Sequence, residues 1–143
     1  MRADRYLEQV RLLDARIDRK LIEKQRIMEL AIRVTPSMTG MPRAEGNSDK
    51  IGDAVARLVE VEGQINRLID QLIDKRAEMI ALLETLPVQD YTVLHQYYIQ
   101  GVTIAAIAEN MTPKPMSERQ VSRIKVRAIK RVQAILDERE PRA

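Results

Sequence analysis

The chain has 143 residues, a length that suits one small domain or a small domain with a helical extension. Apolar residues make up 45% but aromatic residues only 3%, so an aliphatic core is expected, which favours helices over sheets. The absence of Cys excludes disulfides, thiolate metal sites and cysteine catalysis. No apolar run approaches the roughly 18 residues of a membrane helix, and the first residues lack a signal-peptide pattern. We therefore expect a soluble cytoplasmic protein that does not contact a membrane.

The net charge of +3 is unevenly distributed along the chain. Residues 1–43 carry ten basic and six acidic side chains, residues 44–111 carry five and eleven, and residues 112–143 carry nine and four. An acidic middle followed by a basic C-terminal third indicates a localised surface for a polyanion.

Two long helices are predicted in the first part of the chain. Residues 4–34 contain neither Gly nor Pro, and their apolar positions recur at helical spacing. Residues 35–49 concentrate Pro, Gly, Ser and Asn and predict a loop, which includes most of the segment MPRAEGNSDK. Ser48 or Asp49 can cap the second helix, which is predicted to run to about Leu86.

The second helix carries a heptad-like apolar seam. Its positions alternate steps of four and three, and Glu62 and Arg76 are the two charged interruptions. Such helices can form an antiparallel, coiled-coil-like hairpin or pair with another chain, and periodicity leaves both open. A hairpin of residues 1–86 has little core of its own, so we expect a homo-oligomer, with a dimer favoured. The predicted seam consists of Ile51, Val55, Leu58, Ile65, Ile69, Leu72, Met79 and Leu83.

Three shorter helices are predicted in residues 87–143. Pro87 suits the first position of a helix, and Gly101 ends that helix. The next two helices are predicted at residues 103–111 and from Ser117 to about Glu138. The fold class is therefore all-α: a long hairpin followed by a three-helix unit in which the third helix is basic, an arrangement common in DNA-binding proteins.

The last two helices meet the requirements of a helix-turn-helix, in which the first helix braces a second that enters the major groove. In GVTIAAIAENM, Ile104, Ile107 and Met111 share one face. Ala108 offers a small residue where the helices cross, and Thr103 can cap the helix. In the next helix, Ser117 and Gln120 form a capping-box pattern. An inward apolar stripe then follows at Val121, Ile124, Ala128, Val132 and Ile135.

The opposite side of this recognition helix, about residues 117–136, is basic. In the docking geometry of a helix-turn-helix, the first residues of the recognition helix reach base edges and later ones reach phosphates. Arg suits guanine and Gln suits adenine. The candidates for base contacts are Glu118, Arg119, Gln120, Ser122 and Arg123. The candidates for phosphate contacts are Lys114, Arg127, Lys130 and Arg131.

Residues 86–136 resemble region 4 of sigma-70-type factors, through YYIQGVTIAAIAENM, Ser117 and QVSRIKVRAIKRV. Together with YLEQVRLLDARIDRKLIE and MPRAEGNSDKIGDAVARLVEVEGQINRLID, they resemble the RinA- or ArpU-like regulators of late transcription encoded by phages and prophages. The resemblance implies a transcription regulator that binds double-stranded DNA, with RNA polymerase as a candidate further partner. The segment TPKPM before Ser117 is three residues longer than the turn usual in that family.

Other readings of the sequence are weaker. A lone His95 without Cys predicts no metal site, and no carboxylates are placed as an acid/base pair, so neither an enzyme nor a cofactor is expected. Two alternatives to a regulator remain open. One is a phage DNA-packaging protein of the small-terminase kind, and the other is a coiled-coil adaptor that does not bind DNA.

Overall fold

The computed structural model of the chain describes residues 1–34 and 45–140. All regular structure in these residues is helical, which confirms the all-α prediction. None of the described helices is both long enough and apolar enough to cross a membrane. The elements are α1 (Ala3–Val34), α2 (Glu45–Leu83), α3 (Val88–Leu94) with a π-helical turn at its end (His95–Ile99), α4 (Ile104–Asn110) and α5 (Glu118–Arg139).

The boundaries of α2 differ from those predicted. The helix begins at Glu45, so Ser48 and Asp49 lie inside it and not at its start. A residue with weak helix propensity other than Pro destabilises a helix by at most about 1 kcal/mol, so a long helix can include several such residues. At its other end α2 stops at Leu83, and a turn in which the Leu86 N–H donates to the Leu83 carbonyl (3.0 Å) leads to α3. The rest of the predicted loop, residues 35–44, lies outside the described residues.

The chain forms two compact units, each containing parts of both long helices. Unit 1 comprises residues 1–12 and 72–143, and unit 2 comprises residues 13–71. The sequence pattern predicts a division at residue 86, between a helical hairpin and a DNA-binding domain. The packing does not follow that division, because the start of α1 and the end of α2 join the core of the C-terminal helices.

The main core of unit 1 is mostly aliphatic, with Tyr6 and Tyr98 among its buried residues, and joins four parts of the chain. Leu7 from α1 and Met79 and Leu83 from α2 are fully buried, as are Ala128 and Val132 from α5. Truncating one of the large side chains to Ala would cost about 2–5 kcal/mol through lost apolar contacts and the cavity left behind. The start of α1 is therefore part of the scaffold that supports α5.

Unit 2 has a smaller core. Ile27 of α1 packs with Val61 and Ile65 of α2, and all three are buried. Of the predicted seam positions, Ile65, Met79 and Leu83 are buried, Ile51, Leu58 and Leu72 are half-buried, and Val55 and Ile69 are exposed. Neither of these last two belongs to the apolar cluster that joins α1 and α2 in unit 2. Their place in a seam between chains stays a prediction.

Ion pairs also join α1 and α2 in unit 2. Lys24 Nζ lies 3.3 Å from Glu62 Oε1, and Arg57 Nη2 lies 4.0 Å from Glu23 Oε1. Both pairs are partly exposed, so each contributes at most about 1 kcal/mol. Glu62, one of the two charged residues that interrupt the predicted seam, therefore pairs with Lys24 of α1.

His95 lies in the π-helical turn and stacks on Tyr91, with ring centroids 5.3 Å apart. Burial lowers the pKa of His95 from its ordinary value of 6.5, and the nearby positive charge of Arg76 lowers it further. The folded state therefore binds fewer protons at this side chain than the unfolded state as the pH falls below 6.5.

We expect His95→Gln to remove part of the acid sensitivity of the fold. In the wild type, the lowered pKa gives stability that is present above pH 6.5 and lost as the pH falls through the folded-state pKa. The free energy of unfolding in urea, measured at about pH 7.5 and about pH 5.5, should fall more in the wild type than in the variant. Equal losses in the two proteins would contradict this role of His95.

Candidate nucleic-acid interface

Two residues before helix α4 determine where it begins. Gly101 has a φ of +70°, in the left-handed region that suits glycine, and turns the chain after the π-helical turn. Thr103 then caps α4, because its hydroxyl accepts a hydrogen bond from the Ala106 N–H at 3.3 Å. Both local predictions for this helix start are confirmed.

The TPKPM segment between α4 and α5 is tied back to α4. The Met116 N–H donates to the Ala108 carbonyl at 2.9 Å, which satisfies an acceptor at the end of that helix. Met116 is half-buried against the apolar cluster of the α4–α5 pair, whereas residues 112–115 are exposed. The longer turn is therefore held at its last residue, immediately before α5 begins.

Helix α5 begins with the predicted capping box. The Ser117 hydroxyl accepts from the Gln120 N–H at 3.2 Å, and Gln120 Oε1 accepts from the Ser117 N–H at 3.1 Å. This occupies the amide oxygen of Gln120, a group that a bidentate contact with adenine would use. The structure therefore gives Gln120 a capping role, and its base contact stays a prediction.

The inward stripe of α5 packs as predicted over most of its length. One buried cluster contains Val121 and Ile124 of α5, Ile107 and Ala108 of α4, and Met111, which directly follows α4. Farther along, Ala128 and Val132 join the main core of unit 1. At the end of the stripe the predicted Ile135 and its neighbour Leu136 both pack against that core. Leu136 is buried and Ile135 only half-buried, because the residue four positions after Val132 continues the inward face.

A buried carboxylate ties α5 to α3. Asp90, in the first turn of α3, has no exposed surface, and its two oxygens accept hydrogen bonds from two arginines of α5. Arg127 Nη2 lies 2.8 Å from Asp90 Oδ1, and Arg131 Nη1 contacts Asp90 Oδ2. The structure thus gives Arg127 and Arg131 a role within the fold, and their phosphate contacts stay predictions. Their guanidinium groups are committed to an acid within the chain, although each side chain is still almost half exposed.

A second group of cations lies on the opposite flank of α5. Lys125 Nζ is 3.9 Å from the centroid of the Tyr97 ring, and the guanidinium of Arg11 is 4.0 Å from the same centroid. Arg11 Nη2 also donates to the Tyr97 carbonyl at 2.6 Å. A hydrogen bond from Arg11 lowers the pKa of the Tyr97 hydroxyl, and the charge of Lys125 adds to this effect. Lys125 thus serves the packing of α5.

The remaining outward side chains of α5 form one surface, which we call the basic face. Arg119, Arg123 and Lys130 have no ion-pair partner among the described residues. The predicted contact residues Glu118 and Lys114 are also exposed, with Glu118 in the first turn of α5 and Lys114 in the turn that precedes it. The basic face is a shallow groove lined by Arg119, Ser122, Arg123, Val126, Arg127 and Lys130.

Two residues of this region, Val126 and Asp90, are not among the functional residues predicted from the sequence. Val126 is 55% exposed and lies within the groove, among the basic side chains. Asp90 is the buried anchor of Arg127 and Arg131. One sequence feature points to such an acid: two arginines four residues apart share a helix face and can both donate to one carboxylate.

Comparison of the chain with family models, with curated proteins and with solved structures found no match. Within residues 1–34 and 45–140, no three His, Asp or Glu side chains are grouped so that they could hold a metal ion. The basic face is therefore interpreted from its own geometry and charge.

We expect Asp90→Asn to destabilise the protein by about 1–3 kcal/mol, because the amide keeps one acceptor oxygen for one arginine and places an NH2 donor against the other. The midpoint and slope of urea unfolding measure this change. Asp74→Asn is the control, since Asp74 is exposed on α2 and such surface changes stay within about 0.5 kcal/mol. Equal effects of the two substitutions would contradict the anchoring role of Asp90.

Proposed function

We propose that this protein is a transcription regulator of the phage or prophage type that binds double-stranded DNA through a helix-turn-helix made of α4, the TPKPM turn and α5. The observation that supports this most directly is the basic face of α5. It presents unpaired cations on one side of a helix whose other side is buried against a bracing helix. Such a helix matches the major groove in shape and the phosphate backbone in charge.

The roles of the side chains follow from their positions along α5. Arg119, Ser122 and Arg123 occupy the first two turns, from which a recognition helix reaches base edges. Both arginines are free to donate two hydrogen bonds to one guanine. Lys130, two turns farther on, and Lys114, in the turn before α5, are placed for phosphates.

Val126 adds an apolar element to the proposed readout. Its side chain lies in the groove between the arginines at the start of α5 and Lys130. An exposed Val at this position can contact the methyl group of thymine, which marks A·T pairs in the major groove. The proposed site therefore combines guanine contacts with one apolar contact.

The long helices complete the proposal. We take α1 and α2 to form an antiparallel hairpin that both supports α5 and provides the surface for homo-oligomerisation, with a dimer favoured. The resemblance to RinA- or ArpU-like regulators and to sigma region 4 points the same way and makes RNA polymerase a candidate further partner. Selection of bound sequences from random duplexes would test DNA binding and identify the site together.

Binding to duplex DNA should weaken steeply as salt is added. Each phosphate contact contributes about 0.9 to the slope of log affinity against log salt, because it releases condensed counterions. Fluorescence anisotropy of a labelled duplex at several salt concentrations measures this slope. A flat salt dependence, or the absence of binding at low salt, would overturn the proposed function.

Arg123→Ala and Lys130→Ala should differ in what they change. Loss of the base contact by Arg123 should cost about 1–3 kcal/mol and relax the preference for one base pair, whereas loss of Lys130 should weaken all sequences alike and lower the salt slope by about 1. Affinities for the selected site and its single-base variants separate the two effects.

Arg139→Ala is the control with the same change of charge, since Arg139 lies in the last turn of α5, away from the basic face. It should leave both specificity and salt slope nearly unchanged. Indistinguishable behaviour of the Arg123 and Lys130 variants would contradict the assigned roles, even if DNA binding itself is found.

A further inference from the structure

Unit 2 exposes aliphatic side chains on one side, and we call this surface the apolar face. On α1 its members recur at intervals of seven and four residues, and on α2 at intervals of four and ten, so each set lies on one side of its helix. Each side chain is between 38% and 65% exposed. The apolar face consists of Leu21, Met28 and Ile32 from α1 and of Val55, Val59 and Ile69 from α2.

The two sets lie on the same side of the paired helices. The Lys24–Glu62 ion pair bridges α1 and α2 along one edge of their contact, and the weaker Glu23–Arg57 pair bridges the opposite edge. Successive residues are 100° apart around a helix axis. By this measure, the exposed aliphatic residues of α1 lie on the Lys24 side, farther from the α1–α2 contact than Lys24 itself, and those of α2 are centred near Glu62. The side marked by the Lys24–Glu62 pair is therefore the apolar face.

Helix α2 is thus apolar in two directions. One side, with Val61 and Ile65, is covered by α1. A second side carries Val59 and Ile69, with Glu62 and Asn66 between them, and remains exposed. The third side is polar and carries Glu60, Arg67 and Gln71. A soluble helix usually needs one apolar stripe, so a second stripe continued by a neighbouring helix marks an interaction surface.

We propose that the apolar face binds a second copy of the chain, with the two α2 helices antiparallel about a two-fold axis. Because the helices then run in opposite directions, pairing Val59 with Ile69 of the second copy also places Glu62 opposite Asn66 of that copy. Asn66 is exposed, and its amide group can donate to the carboxylate of Glu62. One register therefore satisfies both the apolar and the polar positions of the stripe.

Charge selects this arrangement over the parallel one. Parallel pairing in register would bring Glu62 against its own copy, and like charges opposed in this way repel. In the antiparallel register the central polar layer combines an acceptor with a donor, a device that fixes register in helical dimers. The face supplies both members of the Val59–Ile69 and Glu62–Asn66 pairs, as an isologous interface requires.

The first test replaces Val59 with Glu. Sedimentation equilibrium of the wild type should give twice the 16.4 kDa mass of one chain. Val59→Glu should weaken dimerisation at least about 100-fold, because two unpaired charges would be buried at the interface. Far-UV circular dichroism at matched concentration reports whether the variant keeps its helices. The matched control is Ile22→Glu, since Ile22 is equally exposed at 69% but lies on another side of α1.

The second test does not depend on a destabilised variant. The chain contains no Cys, so Val59→Cys and Ile69→Cys each introduce a single thiol. When the two variants carry different mass tags and are mixed, a short bismaleimide should produce mainly the mixed product that joins residue 59 to residue 69. Mainly self-linked products would indicate the parallel arrangement and overturn the proposed register.

The interface does not require DNA, so its outcome is separable from that of the proposed function. A monomer at every soluble concentration would overturn it. So would a ring-like assembly with more than two copies, or a dimer that persists in Val59→Glu while Ile22→Glu is impaired. A dimer that binds no DNA would support the interface and contradict only the proposed function.

Discussion

The buried carboxylate of Asp90 is the interaction on which the surface of α5 depends. Arg127 and Arg131 are one helical turn apart and both cationic, and their charges would repel each other and the neighbouring Lys130 without a shared acid. A buried carboxylate in turn is strongly unfavourable unless it is paired and hydrogen-bonded. The acid and the two bases therefore stabilise one another, and the result fixes α5 against α3 while its other side stays exposed.

This pairing separates basic residues that support the fold from those that are free to bind. Arg11 and Lys125 lie against the Tyr97 ring, and Asp90 holds two further cations. The excess of positive charge in the last third of the chain is thus partly consumed within unit 1. The cations left on the basic face are few and lie on one side of one helix. Such an arrangement suits recognition of a groove better than nonspecific attraction to a polyanion.

Local features of the fold were predictable from the sequence, and long-range ones were not. The caps at Thr103 and Ser117, the turn at Gly101 and four of the five inward positions of α5 depend on neighbours within a few residues, which the sequence displays directly. Asp90 and Arg127 are 37 residues apart, and nothing local pairs them. In α2, aliphatic residues occupy two sides, so a single seam read from spacing combined positions such as Ile65, which is buried in the cluster with α1, with positions such as Val55, which is exposed.

The two proposals are linked by symmetry. A dimer with a two-fold axis carries two copies of α5 related by that axis, and duplex DNA has two-fold axes of its own in the base-pair plane. A two-fold protein that binds through both recognition helices therefore reads two half-sites in inverted orientation, whatever their spacing. Each basic face has few free cations, so a single copy gains little affinity from phosphates alone. Joining two faces through the apolar face of unit 2 makes the second contact intramolecular, which raises affinity for a paired site without any new contact to DNA. In the proposed dimer, the exposed aliphatic side chains of α1 and α2 and the unpaired arginines of α5 would act as two parts of one recognition system.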